Sequence, residues 1–140
     1  MSDQTGRIIV CAVGENFFAL PLELTAEVIE DARVSPIPCA PPQLSDAVNV
    51  HGRIVPVLDV ALLLGNTAVQ PGRTILVLDP QVADLALRVG MVTGIAAMDG
   101  VERREGELPM TDGELLLPEG WVPLLSVARL VDEIETMLST

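Results

Sequence analysis

The sequence predicts a small β protein of the barrel or sandwich class. Three observations point there. Its apolar runs are short, many alternate with polar residues, and they stop at Gly, Pro, Asn or Asp. Pro36, Pro38, Pro41 and Pro42 leave no room for a long helix in the middle of the chain. Helical periodicity is sustained in one place, where Val127, Leu130, Val131 and Ile134 share a face. The sum is about ten short strands and one real helix, unlike the strand–helix alternation of a parallel sheet.

Taken in order, Arg7 to Val13 reads as a strand, Gly14-Glu15-Asn16 as a turn and Phe17 to Leu22 as its hairpin partner. Pro21 marks an edge or a strand end, and Glu23 to Thr25 a helical turn. Ala26 to Glu30 is the next strand, carrying Val28 and Ile29. The proline-rich segment is an extended connection, with one turn of helix over Gln43 to Asp46. Val48 and Val50 alternate with Asn49, and His51-Gly52 falls where the chain must reverse. Arg53 to Leu58 follows; Pro56 inside it predicts an edge strand or a bulge, because proline cannot donate to a ladder. Asp59 is placed to cap a helical turn over Val60 to Leu64, and Gly65 to end it.

The polar stretch Asn66 to Gly72 is the candidate boundary between two lobes. Strands follow at Arg73 to Asp79, Asp84 to Val89 and Met91 to Ala97, with Gly90 and Gly94 as bends. Asp99-Gly100 is a turn, and Glu102 to Pro109 a charged, exposed loop. Glu114 to Leu117 and Trp121 to Leu125 form a hairpin around Pro118-Glu119-Gly120, and Ser126 is the N-cap of the closing helix.

With 140 residues the chain can bury a real core, and with 49% hydrophobic but 2% aromatic residues it must build that core from Val, Leu, Ile and Ala. The net charge of −12 argues against nucleic acid or an anionic membrane as partner, since both reward a basic patch. No apolar run reaches the ~20 residues of a membrane span. MSDQTGR lacks the order of a signal peptide, so the expected location is cytoplasmic. Cys11, in an apolar strand, reads as a small core residue. A reducing compartment argues against a disulfide with Cys39. One histidine and no Cys-x-x-Cys pair give a metal site no support.

The stretch from Ala47 to Gly65 resembles the signature of the CheW family, adaptor proteins of bacterial chemosensory arrays. Asn49, Gly52, Pro56 and Asp59 match that pattern in register, while His51 replaces an arginine and Asp46 a glycine. The resemblance continues in VGENFFALPL, in Glu27-Val28, in Pro41, in RVGMVTGI (with Thr93 for an aspartate) and in WVPLLSVARLV (with Ser126 for an aspartate). It implies two small five-stranded, SH3-like barrels packed side by side around a shared apolar core, within one domain over 1–140. It also implies no catalysis and no cofactor. The implied partners are the regulatory domain of a histidine kinase and the cytoplasmic tip of a chemoreceptor. By the same resemblance, partner contacts fall at Thr25, Glu27, Asp46, Val48, Asn49, His51 and Gly52.

Each of these residues also has a plainer role. His51 suits a turn that needs unusual backbone angles. Asp46 suits a cap or turn, and Thr25, where relatives carry an apolar residue, suits an exposed strand end. Asn49 suits the satisfaction of buried backbone groups, and Pro56 and Asp59 suit architecture. An imidazole in place of a guanidinium weakens charge-assisted contacts, which points to altered specificity or to a specialised homologue with weakened receptor binding. From another class, Asp99, Glu102, Glu105 and Glu107 would serve a small ligand- or metal-binding barrel enzyme. They lack a paired histidine or nucleophile and lie beside Arg103 and Arg104, which favours a solvated face. Met91, Met98 and Met110 read as core filler or patch residues.

Overall fold

The computed structural model describes residues 6–63 and 72–138. Arg7–Val13 (β1) and Asn16–Pro21 (β2) form the first hairpin. A 3-10 turn at Leu22–Leu24 leads to Thr25–Ile29 (β3) and Val34–Pro36 (β4). After a second 3-10 turn at Pro42–Leu44 come Asp46–Val50 (β5) and Arg53–Asp59 (β6). Val60–Leu63 (α1) is a single helical turn. Ala61 and Leu62 donate backbone N–H bonds to Asp59 Oδ1 at 3.1 and 3.3 Å, the cap expected of that aspartate. Gly65, expected to end the turn, lies outside the described residues.

Thr74–Leu78 (β7), Ala86–Val89 (β8), Met91–Ala97 (β9), Arg103–Arg104 (β10), Thr111–Leu117 (β11) and Gly120–Leu125 (β12) complete the strands. Val127–Leu138 (α2) closes the chain, with Ser126 Oγ accepting from Arg129 N–H at 3.3 Å.

Two six-stranded sheets result, ordered β10-β11-β12-β2-β1-β9 and β3-β7-β8-β6-β5-β4. Five strands each were implied. The sixth in each is short: β10 has 2 residues, inside what the sequence presented as a charged loop, and β4 has 3, inside the proline-rich connection.

In the central strands, alternation sends the two faces to different cores. Ile8 and Val10 of β1 enter the interior of the first lobe with Leu115, Val122 and Leu124. Val48, Val50, Val55, Val57, Ile75 and Val77 fill the interior of the second. Ile9, Cys11, Phe18, Leu20, Leu58, Leu76, Leu78 and Leu87, from both lobes, meet in a third cluster that Val127 and Leu130 of α2 join. A strand such as TILVL is therefore buried on both faces, which explains its unbroken apolar run.

Two expectations give way. Strand β6 is interior, not an edge: it pairs with β5 antiparallel and with β8 parallel. Pro56 fits because the β8 ladder begins only at Val57, one residue beyond it, and the β5 register runs past it without a bulge. Nor does the polar stretch 66–72 divide the lobes, although residues 66–71 themselves lie outside the described residues. The strands on either side, β6 and β7, belong to the same sheet. The chain crosses between sheets at Leu22–Leu24 and again at Gly90. Gly90 N–H donates to Ala12 O at 2.9 Å, and a Cβ at Gly90 would lie 2.7 Å from that oxygen, so only glycine allows the crossing to hug β1.

Candidate partner-binding surface

The candidate surface is built on the β5–β6 hairpin. Val50 pairs with Arg53, leaving His51-Gly52 as a two-residue loop. Both loop residues have positive φ, 50° at His51 and 90° at Gly52, as a type I′ turn requires. Asn49 Oδ1 accepts the Gly52 N–H at 2.8 Å and fixes the reversal. Asn49, expected to serve buried backbone groups, instead serves an exposed one.

His51 stands 79% exposed at the tip, and its Nε2 lies 2.9 Å from Glu27 Oε1 on β3. That contact ties the hairpin to an edge strand 24 residues away in sequence. Next to the turn, Arg53 pairs with Asp84.

Asp46, at the other end of β5, faces a different partner. Its Oδ2 accepts from Arg88 Nη2 at 2.8 Å, and Arg88 Nη1 is 4.0 Å from Asp59 Oδ2. The Arg88 side chain is only 12% exposed, so one guanidinium joins β5, β8 and β6. Sequence reading did not single out Arg88. The signal was available: a lone arginine inside the apolar strand ALRV needs a buried acid.

Two of the expected contact residues sit elsewhere than supposed. Val48 is 3% exposed and lines the second lobe's interior, so it shapes the hairpin and cannot touch a partner. Thr25 is half-buried rather than exposed, and its hydroxyl is buried without a hydrogen-bond partner. What replaces Val48 at the surface is Ile54, directly across from Asn49 and 65% exposed. Ile54, Pro56 and Leu58 share one face of β6, which runs from the open surface to the shared core. The surface thus brings together Glu27, Asn49, His51, Gly52 and Ile54, with Asp46 held inward by Arg88.

The alternative acidic site does not assemble. Arg104 pairs with Glu114 at 2.7 Å, and among the described residues no group of three His, Cys, Asp or Glu side chains is placed to hold a metal ion. Among the described residues no helix is long and apolar enough to cross a membrane.

Against known families, the model of the CheW-like domain matches residues 7–135. The chain belongs to the CheW-like family. Its fold agrees: the crystal structure of the scaffolding protein TtCheW from Thermoanaerobacter tengcongensis superposes with a TM-score of 0.76 at 18% identity, covering 87% of this chain and 89% of that one. No curated protein matches this CheW-like chain. The paired sheets, the shared core and the C-terminal helix are therefore family architecture. The His51–Glu27 contact and the Asp46–Arg88–Asp59 cluster involve positions 51 and 46, where the sequence reading expects arginine and glycine.

Proposed function

We propose that this CheW-like protein is a non-enzymatic adaptor that couples a chemoreceptor to a histidine kinase through protein–protein contacts. Chemotaxis or a related motility pathway is the setting. The observation that carries the reading is the β5–β6 hairpin tip. It presents an exposed imidazole and a large apolar side chain (His51 and Ile54), with the Glu27 carboxylate of β3 against the imidazole. An exposed apolar side chain among polar neighbours suits a small transient interface. Membership of the CheW-like family supports the choice of partners, and a cytoplasmic location at receptor arrays is part of the same proposal.

The test is calorimetry with the regulatory domain of the kinase encoded alongside this protein and, separately, with a receptor-tip fragment. Affinity near micromolar, about −8 kcal/mol, is expected for the kinase domain. No heat and no complex at high micromolar concentration would overturn the reading.

A second reading has its own support: a specialised homologue with weakened receptor binding. Where relatives carry arginine and glycine, His51 and Asp46 are both engaged within this chain. Kinase binding without receptor binding in the same experiment selects it.

A further inference from the structure

The three aromatic side chains of the chain gather at one place. Phe17, Phe18 and Trp121 line a cavity of about 390 Å³ between the β1–β2 turn and the β11–β12 hairpin. That volume falls within the roughly 300–1,000 Å³ of small-molecule sites. Phe18 is buried, whereas Phe17 and Trp121 are half-buried and open to the cavity. The charged groups on its wall are two carboxylates, Glu15 and Glu114.

Aromatic faces carry negative potential and attract cations. Carboxylates beside them add charge. The molecule already demonstrates the chemistry. The Arg104 guanidinium lies 4.1 Å from the Trp121 ring centroid, and its Nε donates to Glu114 Oε1 at 2.7 Å. Arg104 itself does not line the cavity. On its wall, the exposed Glu15 side chain makes no ion pair or hydrogen bond among the described residues.

We propose that this cavity binds a small organic cation, an alkylguanidinium or alkylammonium compound. Its stem packs against Phe17 and Leu108, and its head is shared between Trp121 and Glu15. An anion of the same size is repelled by Glu15, whose charge no cation among the described residues offsets. The site is built mainly from the first lobe, with Ala61 of α1 on its wall, and does not depend on the adaptor reading, which rests on the β5–β6 hairpin.

Trp121 is the sole tryptophan, so its fluorescence reports on the cavity directly. The full chain is titrated with n-butylguanidinium and with n-butyltrimethylammonium; butyramide and butyrate serve as neutral and anionic controls. NMR shifts of the Asn16 and Phe17 amides give a second readout. Saturable binding of either cation at millimolar concentration is expected, with neither control binding. Glu15→Gln should weaken it about three- to fivefold, the weight of an exposed ion pair, and Phe17→Ala by a similar factor through lost packing of the stem. Asp132→Asn, on α2, should leave it unchanged. Absence of saturation for both cations overturns the proposal. So does equal binding of butyramide, unchanged affinity in both cavity variants, or equal weakening by Asp132→Asn, which would mean attraction to net charge alone.

Discussion

Arg88 and Asp46 are 42 residues apart in sequence and 2.8 Å apart in space. The bond links β8 to β5 across β6, and Asp59 on β6 completes it at 4.0 Å. Removing one partner of a mostly buried pair leaves the other charge uncompensated. Asp46→Ala should therefore destabilise the fold by about 1–3 kcal/mol, below the value for full burial because Asp46 keeps some contact with water. The double variant Asp46→Ala, Arg88→Met should recover part of that loss. Urea midpoints measure both, and a double variant less stable than Asp46→Ala refutes the account.

His51 does two jobs that substitution can separate. Asn-Gly is the preferred pair for a type I′ turn, so His51→Asn should hold or raise stability by about 0.5 kcal/mol while losing the Glu27 contact. His51→Arg restores a permanent charge and should tighten receptor-fragment binding by about 1–2 kcal/mol with little change in stability. Equal receptor and kinase affinities in all three proteins would reduce His51 to a turn residue.

Val57 and Ile54 lie on opposite faces of β6. Val57→Ala opens a hole in the second lobe and should cost about 1–3 kcal/mol. Ile54→Ala should leave the denaturation midpoint within about 0.5 kcal/mol of the parent and weaken kinase-domain binding instead. The reverse pattern would mean the faces are interchanged in solution.

Thr25 carries a buried hydroxyl with no partner. Thr25→Val keeps the shape and removes the unsatisfied group, so it should stabilise by about 1 kcal/mol. A loss of stability would show that the hydroxyl is satisfied, for example by water.

Burial pushes the Cys11 thiol up to about 12. In the unfolded chain it ionises near ~8.5, so the folded state is the one that holds the proton longer. Stability from this group is complete below ~8.5 and is lost as pH rises toward 12, with a slope of about 1.4 kcal/mol per pH unit. The chain has no tyrosine and no lysine, which leaves this limb uncluttered. Cys11→Ala should flatten it. At pH 8 a thiol reagent should label exposed Cys39 quickly and Cys11 only on unfolding.

What the sequence revealed was local. Turn chemistry at His51-Gly52, the Asp59 and Ser126 caps and the alternation around Val48 each depend on a few neighbours, and all appear where expected. Pro56 misled because its missing N–H was weighed against a whole strand, whereas the β8 ladder begins one residue later. The role of Arg88 and the burial of Val48 depend on which strands become neighbours. The parallel β6–β8 pairing has no local signature. The same limit hid the sheet crossings, since a crossing needs only a 3-10 turn or one glycine.

Those crossings set an order of assembly on the ribosome. The second lobe is one continuous stretch, β3 to β8, and its strand pairing needs no later residue. The first lobe differs: β1 must wait for β9, as Arg7 pairs with Ala97, and β2 for β12. During that interval the apolar β1–β2 hairpin has an unpaired edge, the state most open to aggregation. The late-arriving residues of β9 to β12 thus decide whether newly made chains stay in solution, although the candidate partner surface is complete before them.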